Sequence, residues 1–126
     1  MALHSTLVSD IMDDMDPQLL DFIQKHVTTF TRWNLIKFFY ENVNTQDTAA
    51  NLARYIGRAI ELVQQQASQL VDEGILLSFQ QSGHTIYTIT QDQDIQKIIA
   101  DLIEMSQERT FRMQLAYHVL RAGGQV

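Results

Sequence analysis

The chain has 126 residues, 45% of them apolar and 19% charged, and carries a net charge of −6. That length supports one hydrophobic core rather than two, and no apolar run approaches the roughly 20 residues a membrane-spanning helix needs. The absence of cysteine excludes a disulfide framework, a thiolate nucleophile and cysteine-based metal or redox sensing.

The opening Met1–Thr6 shows no basic region followed by an apolar stretch, so the expected location is the cytoplasm. The acidic balance argues against a protein that neutralises phosphates over its whole surface. The charge is uneven, however. Residues 1–28 hold Asp10, Asp13, Asp14, Asp16 and Asp21 against Lys25. In residues 29–91, Arg32, Lys37, Arg54 and Arg58 nearly balance Glu41, Asp47, Glu61, Asp72 and Glu73, leaving room for a locally basic face.

Asp16-Pro17 places a capping carboxylate before a proline in the first turn, and Leu19, Leu20, Phe22, Ile23 and Val27 give an apolar face, so a helix is predicted over 17–28. Thr31-Arg32-Trp33 opens a second helix, with Leu35, Ile36, Phe38, Phe39 and Val43 at helical spacing as far as Asn44. Asp47-Thr48 caps a short third helix that stops at Gly57. A fourth runs from Ala59 to Glu73 with Ile60, Val63, Ala67, Leu70 and Val71 as its stripe, closed by Gly74. The period then becomes alternating through Ile75–Gln80 and Thr85–Thr90 around the turn Gln81-Ser82-Gly83-His84, the pattern of a β-hairpin. From Asp94 helical periodicity resumes and continues to Gly123-Gly124, which predicts one long helix of about 40 Å.

Helix, helix, glycine turn, helix and hairpin in this order make a winged helix-turn-helix, a mainly α fold with a small β-hairpin wing (α+β) and here a long C-terminal helix. The stretch Thr48–Thr90 resembles the MarR-like and ArsR-like regulator families in Leu52-Ala53, Ile56-Gly57, Val63, Ala67, Leu70, Gly74-Ile75-Leu76 and the wing end Tyr87–Thr90. The resemblance implies a DNA-binding transcription regulator rather than an enzyme, with residues 1–91 forming the DNA-binding domain and 92–126 a dimerisation helix.

In such domains the recognition helix enters the major groove and the wing lies beside it. With Val63, Ala67 and Leu70 inward, Gln64, Gln65 and Ser68 face outward; glutamine can contact adenine bidentately and serine several base edges. The same glutamines, with Gln66, also serve simply as good helix formers on a solvated face. Arg54 and Arg58 flank the turn, where they fit phosphate contacts or an ion pair with Glu61. Two features depart from the family: Glu61 brings a carboxylate to the start of the recognition helix, and the wing tip lacks arginine and lysine, leaving only His84 as a potential cation.

His4, His26, His84 and His118 form no ligand motif, and Asp10–Asp16 has only the composition of an ion-binding loop, so neither a metal nor a cofactor is expected. No phosphate loop, serine elbow or catalytic carboxylate pair is recognisable. Ile95, Ile98, Leu102, Met105, Phe111 and Leu115 are the predicted homodimer seam, interrupted at Arg109, with packing of the stripe back onto its own domain as the alternative. Phe22, Phe30, Trp33 and Phe111 mark either a pocket for a small-molecule effector or plain aromatic core. Double-stranded DNA is the expected partner; the alternative from another class is a winged-helix module that binds protein through the Glu61-Leu62 region or the terminal helix.

Overall fold

The computed structural model describes residues 15–123. Helix α1 spans Pro17–His26; the Asp16 carboxylate accepts from the backbone N–H groups of Gln18 (2.8 Å) and Leu19 (3.4 Å). Thr29 Oγ1 likewise caps α2, Phe30–Glu41, by accepting from the Arg32 N–H. Both helices end earlier than periodicity predicts, because Val27 and Asn42 leave helical geometry and Asn44 then turns the chain at φ +68°. Val27 and Val43 continue the apolar stripes past the points where the backbone has already turned.

Helix α3 covers Ala49–Ile56, capped by Thr48, whose hydroxyl accepts from the Asn51 N–H. Gly57 follows at φ +70°, ψ +42°, and α4 runs over Ile60–Asp72. Strand β1, Leu76–Gln81, pairs antiparallel with β2, His84–Ile89, from Leu76 opposite Ile89 to Gln81 opposite His84. Ser82 and Gly83, both at positive φ, make the two-residue turn whose twist suits a hairpin. A connection that periodicity does not reveal joins this hairpin to the residue ahead of α3: Tyr87 N–H donates to Asp47 O (2.8 Å) and Asp47 N–H to Tyr87 O (3.2 Å). Helix, turn, helix and wing therefore appear in the expected order, and the described residues form a mostly helical α+β fold of winged helix-turn-helix type.

The long C-terminal helix is instead two: α5, Gln93–Met105, and α6, Arg109–Arg121. Ser106 Oγ donates back to the Ile103 carbonyl at 2.6 Å, and the N–H groups of Gln107 and Glu108 bond three residues back, to Glu104 and Met105. Arg112 then holds the freed Ser106 and Gln107 carbonyls at 2.9 and 2.8 Å. A serine back-bond and an arginine gripping carbonyls offer the chain an alternative to the regular helical ladder, and the chain turns there. Most of the predicted seam residues pack onto their own chain. Leu102, Phe111 and Leu115 are buried in the same core as Ile23, Leu35, Ile36, Val63 and Leu70; Ile95 and Ile98 are half-buried against that core, and of the six only Met105 is exposed.

One buried charge orders the helices around α4. Arg32 is only 5% exposed. Its guanidinium donates to Gln66 Oε1 (2.8 Å), Gln69 Oε1 (2.6 Å), both oxygens of Glu73 (2.8 and 2.9 Å) and the His26 carbonyl (3.3 Å). His26 Nδ1 lies 2.7 Å from Glu73 Oε1. A single side chain of α2 thus fixes the end of α1 and three positions along the inner face of α4 and its C-cap. Burial by itself would raise the Glu73 pKa, but the hydrogen bonds from Arg32 and His26 outweigh it and hold the carboxyl below its ordinary 4.5.

Arg32→Ala removes a donor from Gln66, Gln69 and Glu73 while Thr29 and His26 stay beside Gln66 and Glu73, and we expect urea unfolding to show a loss of about 1–3 kcal/mol. Because the Glu73 pKa is depressed, its contribution is complete above the unfolded value of 4.5 and disappears as pH falls through the lower folded value; Glu73→Gln should flatten that acid limb of the stability curve. His118 adds a second slope at higher pH. Desolvation lowers its pKa below 6.5, Arg121 acts in the same direction, and a hydrogen bond with the Ile23 backbone opposes them. Stability associated with His118 is therefore complete above 6.5 and declines as pH drops below it, and melting curves of His118→Leu should lack this decline.

Candidate nucleic-acid interface

The turn between α3 and α4 sets α4 against the rest of the fold. The Arg58 N–H bonds back to the Ala53 carbonyl at 3.0 Å, which requires the left-handed backbone that Gly57 supplies. Helix α4 then starts at Ile60 without a side-chain cap, buries Val63, Ala67 and Leu70, and leaves its opposite face to solvent. Glu61, Gln64, Gln65 and Ser68 are all exposed there, so the three predicted readers share one uncovered helical face. Arg54, in the last turn of α3, is exposed, and Arg58, in the turn itself, is half-buried; the two arginines bracket the entrance to α4. His84 is exposed at the far end of the hairpin, opposite Gln81.

The three consecutive glutamines divide by role. Gln64 and Gln65 are open to a partner, whereas Gln66 is buried and its Oε1 accepts from Arg32 and from Thr29 Oγ1 (3.3 Å). Nothing in the run of identical residues marks this; only the phase of the helix does. Arg32, which contributes to the local cation count in the sequence, is withdrawn from the surface into its pair with Glu73. The positive charge around the turn is then that of Arg54 and Arg58, with Glu61 against it.

Around this face lie residues that periodicity alone does not single out. Tyr55 is 55% exposed, its ring stacked on Phe38 (5.3 Å between centroids, 15° between planes) and its hydroxyl donating to Asp47 Oδ2 at 3.1 Å. Asp47 also accepts from Asn51 Nδ2 (2.6 Å) and the Thr48 N–H (2.8 Å). Desolvation pulls the Asp47 pKa upward and these three bonds, Asn51 foremost, bring it net below the usual 3.8. The hydrogen bond to that carboxylate raises the Tyr55 pKa above 10.0, so the phenol stays a donor at neutral pH. Ile60 (46% exposed) stands at the start of α4, while Leu77 (42%) and Phe79 (38%) project from the wing face opposite the one that carries Tyr87 into the core.

Among the described residues no group of three or more histidines, cysteines or acidic residues is placed to hold a metal ion. His4 and the acidic stretch Asp10–Asp14 lie outside those residues. The four aromatics of the expected effector pocket are distributed between core and surface. Phe22 and Phe111 are core, and Phe30 and Trp33 line an apolar cavity of only about 100 Å³ with Leu115 and Val119, well below the roughly 300 Å³ at which ligand sites begin. No helix among the described residues is long and apolar enough to cross a membrane.

No protein-family model and no curated protein matches the chain. Solved structures similar to it include the following two. One is described as the predicted DNA-binding transcriptional regulator from E. coli; it is 23% identical over 57% of this chain and 74% of its own, with a TM-score of 0.47. The other, a possible transcriptional regulator from Methanosarcina mazei Go1, is 18% identical over 86% of this chain and 84% of its own, again at 0.47.

A Cβ at position 57 meets nothing within 4 Å, so the cost of Gly57→Ala is confined to backbone strain at positive φ. We expect about 1–2 kcal/mol of destabilisation in a thermal melt, with the far-ultraviolet spectrum of the folded state unchanged.

Proposed function

We propose that this chain is a DNA-binding transcription regulator that lays α4 in the major groove and the β1–β2 wing alongside it. The observation that carries this reading is the solvent face of α4, where Gln64, Gln65 and Ser68 stand uncovered at helical spacing while Val63, Ala67 and Leu70 anchor the opposite face. In the proposed complex the two glutamines and the serine meet base edges and Arg54 and Arg58 meet phosphates. His84 approaches the backbone from the wing tip. The regulator acts as a homodimer whose recognition helices are one DNA turn apart, ~34 Å. With Leu102, Phe111 and Leu115 inside the core, its seam uses the apolar side chains that the C-terminal helices leave exposed: Met105 on α5 and Met113 (60%) and Leu120 (54%) on α6.

A second reading has its own support. Tyr55, Ile60, Leu77 and Phe79 add exposed apolar surface around the same helix and wing, and the net charge is −6. Apolar exposure with few cations suits a protein partner better than a phosphate backbone.

Selection from a random duplex pool at low salt separates the two. A palindromic motif is the outcome expected of the DNA reading, and retention of no duplex even at the lowest salt transfers the face to a protein partner. With the selected duplex, Gln64→Ala with Gln65→Ala should abolish sequence preference but not the fold. Arg54→Ala or Arg58→Ala should weaken all sequences alike and make the salt dependence shallower by about 0.9 in logarithmic slope for each phosphate no longer neutralised.

A further inference from the structure

A cavity of about 310 Å³ opens where the end of α2, the base of the wing and α5 meet, on elements other than those of the α4 face. Its floor is apolar and firmly held: Phe39 and Ile99 are 2% and 1% exposed, and Ile89 packs against the same core. Its rim carries Tyr40, 42% exposed, and Val43, 78% exposed, two apolar side chains left open to solvent at the mouth of a concave site. The remaining lining groups are Asn44, Gln46, Gln91 and Gln96 and the Thr88 hydroxyl. No aspartate, glutamate, lysine, arginine or histidine among the described residues lines it.

The rim is preformed. Thr45 Oγ1 donates to the Asn42 carbonyl at 2.6 Å and the Thr45 N–H bonds to the same carbonyl, while Asn44 takes the left-handed conformation that asparagine tolerates. The Asp47–Tyr87 bridge fixes the loop to β2 next to Thr88. Gln96 Nε2 donates to the Thr90 carbonyl at 2.7 Å, which holds its amide in place and leaves its oxygen available. The polar side chains of Tyr40, Asn44, Gln46, Thr88 and Gln91 make no hydrogen bond to any of the described residues, whereas those of the neighbouring Asn42, Thr45 and Gln96 do.

We infer that this cavity binds an uncharged, flat, heteroaromatic or amide-bearing small molecule. Carboxamides offer a donor and an acceptor side by side, the complement of an amide or a nucleobase edge. The exposed Tyr40 ring and the apolar floor supply surface for a planar apolar body. An anion would leave water for a site without a cation, in a protein already at −6, and a cation would find no carboxylate to pair with; each would be desolvated without compensation. The volume lies at the lower end of the range for ligand sites, about 300–1,000 Å³. A ligand held here touches the loop ahead of α3, the base of the wing and α5 at once. The inference is independent of whether the α4 face binds DNA.

The test is titration of the full ¹⁵N-labelled chain with two neutral probes, nicotinamide and adenosine, and with their anionic counterparts, nicotinate and adenosine 5′-monophosphate, followed by amide chemical shifts. The expected result is saturable shifts at 40–46, 88–91 and 96 with low-millimolar or tighter affinity for at least one neutral probe, and affinity weaker by about tenfold or more for its anion. Gln91→Trp, at an exposed rim position, should block the site, and Tyr40→Ala should weaken binding by about tenfold, with the spectrum of each free variant reporting that it is folded. Equal binding of neutral and anionic probes, saturation elsewhere on the chain, or no saturable shift at these residues from either neutral probe below about 10 mM would overturn the assignment.

Discussion

The Arg32 guanidinium is itself buried although its carboxylate partner reaches solvent, and the disposition of the helices around α4 follows from satisfying it. A buried arginine is tolerable only where its charge is paired and its N–H groups are met. Here Glu73 provides a two-pronged carboxylate, and Gln66, Gln69 and the His26 carbonyl take the remaining donors. Gln66, Gln69 and Glu73 succeed one another along the same side of α4 and its C-cap, so these bonds are made only when α4 has one rotation about its axis and one position along α2. That rotation turns Gln64, Gln65 and Ser68 outward. The polar network inside and the polar face outside are two consequences of a single helical phase.

The hydrophobic core supplies the driving force, and the network supplies the selection. Leu35, Ile36, Leu52, Val63, Leu70 and Leu76 are fully buried, and apolar burial of that kind favours collapse without strongly discriminating between nearby rotations of a helix. Hydrogen-bond geometry discriminates sharply, because a shift of an ångström or two leaves a buried donor without an acceptor. The Asp47 cluster has a comparable effect on the other side of the helix pair. Its carboxylate gathers Thr48, Asn51 and Tyr55 at the start of α3, while its backbone holds Tyr87 of the wing.

Much of the fold was legible in the sequence wherever the information was local. Asp16-Pro17, Thr48, Gly57, Gly74 and Ser82-Gly83 each act within a few residues of themselves, through capping or positive φ, and each marks a boundary that the structure has. The change from helical to alternating period at Ile75 located the hairpin for the same reason. What could not be read depends on partners distant in sequence. Arg32 meets Glu73 across 41 positions and Asp47 meets Tyr87 across 40, and neither residue type announces a partner. The C-terminal break was half visible: Arg109 interrupted the stripe, but the turn is made by the Ser106 back-bond and by Arg112, which gives the same apolar pattern as an unbroken helix. For the candidate interface, the outward positions of α4 followed from periodicity, whereas the separate fate of Gln66 and the exposure of Tyr55, Leu77 and Phe79 required three dimensions.

The bond between Asp47 and Tyr87 also has a consequence for how any partner is met. A two-stranded hairpin alone is at best marginally stable in water, and a wing attached only at its base would sample many directions. Pinned in its middle to the residue that precedes α3, it shares one rigid frame with the turn and the helix beside it. A molecule approaching this side of the protein therefore finds a surface already set, and the conformational entropy of ordering the wing has been lost at folding rather than at encounter.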